Sequence, residues 1–100
     1  MANQIAAPAN IAYTADAFDE DGERLFQYRA HATPSGRTTA AAVGQQHRDG
    51  RMAQLAIIVD HRDIHGQTQD LCIESIDEAE NLIDVLRAAI GDAFKAAITP

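Results

Sequence analysis

The residues in this chain that could do chemistry are four histidines, a single cysteine and several closely spaced acids. His61 and His65 stand four residues apart, with Asp60 and Asp63 beside them. On a helix such a spacing would converge on one metal ion. Here it straddles a His65-Gly66 turn signal, and no CxxC, HExxH or carboxylate loop accompanies it. The expectation is solvated turn residues, with no metal and no other cofactor. Cys72 could act as a thiolate nucleophile if strand pairing set His61 opposite Asp70. No oxyanion donor is evident, however, and Cys72 stands among apolar residues, where a small buried cysteine is the ordinary outcome. A glycine-rich phosphate loop, a nucleophile elbow and a dinucleotide fingerprint are all missing from the sequence. These readings point away from an enzyme.

Charge is the next source of chemistry. The net charge is −7, with acidic ends around a basic middle: residues 24–62 carry six arginines against Asp49 and Asp60. Internal neutralisation explains most of that contrast. Arg24, Arg29, Arg48, Arg51 and Arg62 could also grip an anionic chain, with Phe18, Phe26 and Tyr28 nearby for stacking. Asp77, Glu80 and Asp84 are the opposite kind of candidate, an acidic surface for a basic protein partner.

The elements that position these residues are legible in turn. Ser75 is a good N-cap, and Glu78 three residues on completes a capping box. Asp77, Glu78 and Glu80 suit the positive end of a helix dipole, and Lys95 suits the negative end. Apolar residues from Ile76 to Ala97 recur at three and four, which predicts one long amphipathic helix over 75–98. Leu82, Leu86 and Ile90 are expected to dock it on a sheet.

Before the helix, Asp21-Gly22, Asp49-Gly50 and His65-Gly66 read as two-residue hairpin turns. Centring a hairpin on the first sets Tyr13 opposite Ala30 and Ala17 opposite Phe26. A four-residue loop after Thr33 sets Ala30 opposite Ala41. The second turn sets Val43 opposite Ala56 and Ala41 opposite Ile58, and the third sets Ile58 opposite Ile73. One apolar face then persists across all strands. The expected architecture is α+β: a five-stranded antiparallel β-meander followed by one long C-terminal α-helix packed on one face of the sheet. Residues 1–10 are expected to be a flexible segment and 11–100 a single domain.

This plan resembles, in topology alone, that of the PUR-repeat and Whirly single-stranded nucleic-acid binders. The resemblance implies an alternative function for the arginines named above. The other face of the sheet gives the first reading. Leu55, Ile57, Val59 and Cys72 fall there, where one helix on the opposite side cannot reach. An uncovered apolar patch marks an interface, so the expected protein is a homodimer. It would be a small non-catalytic adaptor or inhibitor that binds itself and an unidentified protein partner. A lone cysteine and an N-terminus without a basic or long apolar run fit a cytoplasmic protein with no membrane segment.

Overall fold

The structure is a computed structural model and describes residues 11–14 and 17–98. The expected flexible segment at 1–10 lies outside the described residues. The chain forms β1 (Ile11–Thr14), β2 (Glu23–Tyr28), β3 (His31–Ala32), β4 (Thr38–His47), β5 (Met52–Arg62), β6 (Thr68–Ile73) and α1 (Ile76–Ile98). The sheet is antiparallel in the order β1-β2-β4-β5-β6, with β3 also on β4. It is therefore the expected five-stranded meander, its second strand broken at Arg29–Ala30 into β2 and β3. One C-terminal helix follows and contacts the sheet at β5 and β6.

The four turns share one construction. Gly22, Gly36, Gly50 and Gly66 all take positive φ, between 73° and 92°. In three of them the glycine is the last residue of a three-residue loop. Asp19 N–H donates to the Glu23 carbonyl and Gly22 N–H to the Asp19 carbonyl; His47/Arg51 and Asp63/Gln67 close their loops in the same way. This is a type I turn completed by a left-handed bulge residue, one residue longer than the expected two-residue turn.

The extra residue alters the registers. In β5–β6, Ile57 faces Ile73 and Ile58 faces Cys72, a slip of one from the expected pairing. Side chains alternate along a strand, so Cys72 lies on the opposite face from Ile57 and Val59. His61 faces Gln69, and Asp70 faces Asp60 instead, which removes the pairing on which a Cys–His–Asp site would depend. In the first hairpin Tyr13 faces Gln27, not Ala30, because the chain between β1 and β2 is longer than a tight turn. In the middle of the sheet the expected registers hold: Ala41 faces Ile58 and Val43 faces Ala56. The loop after Thr33 has the expected four residues, closed by Thr33 N–H to the Thr38 carbonyl. It sets His31 opposite Ala40 as anticipated, but β2 slips by one past the break.

The middle register survives its longer turn because of a bulge. Between Val43 and Gln45, Gly44 alone faces Gln54 and Leu55. Gln54 takes φ 54° there, a left-handed conformation that costs a non-glycine residue about 1–2 kcal/mol. Phe26, fully buried, pairs with Gly44. A Cβ on Gly44 would stand 3.0 Å from the Phe26 ring, 3.0 Å from Leu55 Cδ2 and 3.1 Å from the Ala53 carbonyl oxygen. Tyr28 meets Phe26 edge-on at 5.7 Å. Buried Gln46 beside this cluster accepts from Arg24 Nε and Nη2 at 3.0 and 2.8 Å.

The helix departs most from expectation. Its N-cap is as anticipated, with Glu78 N–H donating to Ser75 Oγ. None of its residues is buried, and Leu86 and Ile90 are 51% and 52% exposed. Ala79 and Leu82 are its least exposed residues. The molecule measures 72 × 28 × 22 Å, whereas an eleven-residue strand such as β5 rises only about 36 Å. The helix lengthens the molecule rather than thickening it. Expected docking through Leu86 and Ile90 is thus replaced by contact at the helix base alone.

The core should reside in the sheet. Phe26→Ala should cost about 3–5 kcal/mol, measured by denaturant titration. Leu86→Ala, at nanomolar protein, should cost less than about 0.5 kcal/mol because it empties no cavity. A loss of several kcal/mol on Leu86→Ala in the dilute chain would place the helix on the sheet after all.

Candidate interaction surface

Each candidate residue can now be placed. Leu55, Ile57 and Val59 share a face with Leu71 and Ile73, since those residues pair across β5–β6 and Leu55 meets Gly44 and Phe26 from that side. Leu55 and Leu71 remain exposed, whereas Ile73 is buried. Cys72 is a free, exposed thiol on the other face. A shallow hollow of about 470 Å³ on the Ile57 side is floored by Ala40, Ala42 and Ile57 and rimmed by Tyr28, Arg29 and His31. A second hollow, about 330 Å³, opens at the helix base between Leu71, Ile73 and Leu82.

The arginines do not gather. Arg51 and Arg62 flank opposite ends of β5, which are separated by about 36 Å of strand. Arg24 is committed to Gln46, and its guanidinium carbon lies 4.6 Å from the Phe18 ring centre. Arg51 Nε pairs with Asp49 Oδ2 at 3.0 Å. Arg48 shares its end of the sheet with Glu20, Asp21 and Asp49. Acids interleave with the bases, so the sheet presents no continuous basic track.

The acids of the turns have local work. Asp19 accepts from the N–H groups of Asp21 and Glu23, and Asp63 from those of His65 and Gln67. Asp49 accepts from Arg51 N–H, and that bond holds its carboxyl below the usual aspartate value. His61 Nδ1 lies 2.7 Å from Thr38 Oγ1. Among the described residues no group of three or more His, Cys, Asp or Glu side chains could hold a metal ion. Asp60 stands opposite Asp70, where a hydrogen bond between the two carboxyls raises the pKa of Asp60, and desolvation and like charge add to it.

Most of the exposed large apolar side chains among the described residues are on α1. Ile76, Ile83, Leu86, Ile90 and Phe94 are each about half exposed or more, and Phe94 reaches 68%. Asp77, Glu80 and Asp84 are all exposed on the same helix. The apolar stripe was evident in the sequence; that the sheet leaves it bare was not, because periodicity reveals a face without naming what covers it. No helix among the described residues is long and apolar enough to cross a membrane. In comparisons with known proteins, the chain matches no family model, no curated protein and no solved structure.

The carboxyl pair gives a pH test. A carboxyl whose folded pKa is raised disfavours the folded state once ionised, so its penalty is present at neutral pH and disappears as pH falls toward the unfolded value. Asp60→Asn should therefore raise the melting temperature at pH 7. The gain should shrink as pH approaches the ordinary aspartate value of 3.8. An equal gain at both pH values would assign the effect to something other than the carboxyl pair.

Proposed function

We propose that this is a small non-catalytic binding protein that acts through protein–protein contacts as a homo-oligomer, with a dimer as its basic unit. The observation that carries this reading is the amount of apolar surface left uncovered. The chain exposes 7873 Å², against about 5,500 Å² for a compact chain of its mass. The radius of gyration is 17.9 Å, against about 13 Å for a compact chain of this length. The excess area is larger than the roughly 800 Å² that each partner contributes to a standard interface. Most of the exposed large apolar side chains stand on α1, with Leu25, Met52, Leu55, Ile64 and Leu71 exposed elsewhere.

Asp77, Glu80 and Asp84 supply an acidic surface that would favour a basic protein as a further partner. The free thiol of Cys72 suits a reducing compartment such as the cytoplasm. Dispersed and internally engaged arginines favour this reading over single-stranded nucleic-acid binding, which wants a continuous basic groove.

Sedimentation equilibrium at several concentrations tests the reading. A dimer is expected at tens of micromolar, and retention on single-stranded DNA should be absent at physiological salt. A strict monomer throughout that range would overturn it.

A further inference from the structure

Resting on that reading, we propose that the dimer forms by antiparallel pairing of α1 with α1 of a second copy, in one register set by volume and charge. The apolar residues Ile76, Ala79, Ile83, Leu86, Ile90 and Ala93 are spaced three and four in strict alternation. That is a heptad seam of three repeats, with isoleucine at each first position and Leu86 or alanine at each fourth. The seam lies on the exposed stripe of the helix except at Ala79, which is partly covered.

The residue volumes choose the orientation. In an antiparallel pair, first positions stack on the partner's fourth positions. Setting Ile83 against the partner's Leu86 sets Ile90 against the partner's Ala79 and Ile76 against the partner's Ala93. Every layer then joins one isoleucine to one alanine or leucine. A parallel pair would stack Ala79 on Ala79 and Ala93 on Ala93, leaving hollow layers between packed ones, and such voids are costly.

Charge makes the same choice. The first half of α1 carries Asp77, Glu78, Glu80 and Asp84, and the second half carries Arg87 and Lys95 against Asp92. Antiparallel pairing lays the acidic half along the basic half of the partner, whereas parallel pairing lays acid on acid. In the register above, Glu80 flanks the seam beside the partner's Arg87, and the two-fold axis repeats the pair. Neither side chain has an ion-pair partner among the described residues. The same register brings exposed Phe94 level with the base of the partner's helix. There a hollow opens that is lined by Leu71, Cys72, Ile73 and Leu82 together with the acids Glu74 and Glu78. The predominance of acid on the polar side argues against a lipid surface as the occupant, since interfacial helices are rich in Lys and Arg. Residues 1–10 offer only Met1 and Ile5 as large apolar side chains, too few to cover the stripe.

Charge reversal and crosslinking test the register together. Glu80→Arg and Arg87→Glu, each alone, replace two attractive contacts with two repulsive ones. Each should raise the dimer dissociation constant about fivefold or more at low ionic strength. The double variant should return to within about twofold of wild type. Circular dichroism should show unchanged helix, because both positions are exposed. In parallel, a chain with Ile83→Cys is mixed with one carrying Leu86→Cys, both also Cys72→Ser, and oxidised. Antiparallel pairing predicts the 83–86 heterodisulfide as the main product. A wild type that is dimeric yet indifferent to either reversal, or that gives mainly 83–83 and 86–86 links, overturns this pairing while leaving self-association standing. A monomeric wild type overturns both.

Discussion

The contact on which the sheet depends is the Phe26 ring lying on Gly44. A side chain at Gly44 would crowd the ring, Leu55 and the Ala53 carbonyl at once, so only glycine lets β2 and β5 close over this point of β4. Opposite Gly44, β5 carries one extra residue, with Gln54 in the left-handed region. That bulge absorbs the residue added by the loop at 48–50. Beyond it Ala41, Val43, Ala56 and Ile58 come into the pairing that buries the first three of them. The strain at Gln54 persists because its neighbours Ala53 and Leu55 are held against Gly44 and Phe26.

How far the sequence reveals the fold differs from element to element. Capping at Ser75, the helix span and the order of strands are written in local chemistry, and the structure has them. Turn length is subtler. Asp19-Glu20-Asp21-Gly22 and Asp63-Ile64-His65-Gly66 carry an acid at the first position and glycine at the fourth, the preference of a type I turn. Reading only the last dipeptide of each yields a two-residue loop and a register one residue off. That single residue moves Cys72 to the other face and sets Asp70 against Asp60 in place of His61. The bulge at Gly44 has no comparable local signal, since it follows from the bulk of Phe26 on a neighbouring strand.

The helix shows a different limit of legibility. Its stripe is as clear as any pattern in the chain, yet amphipathicity specifies only that a face must be covered. The sheet has few large side chains to offer it: the buried set is Phe26, Val43, Ile73 and the alanines at 41 and 56. A strip of small residues packs well within the sheet but gives a long helix little to grip. The molecule therefore has two parts, a meander that holds the buried residues and a helix that none of them covers.

The meander has a consequence for how the chain reaches this state. Strands pair with their neighbours in sequence, except that β2 passes over the two-residue β3 to pair with β4, so no strand waits for a distant partner. Such topologies have low contact order, and loop-closure entropy slows them little. Glycine turns whose backbones are already held by Asp19 and Asp63 offer several independent starting points. The sheet can therefore start to form at any of its hairpins, each closed by a loop of only three or four residues.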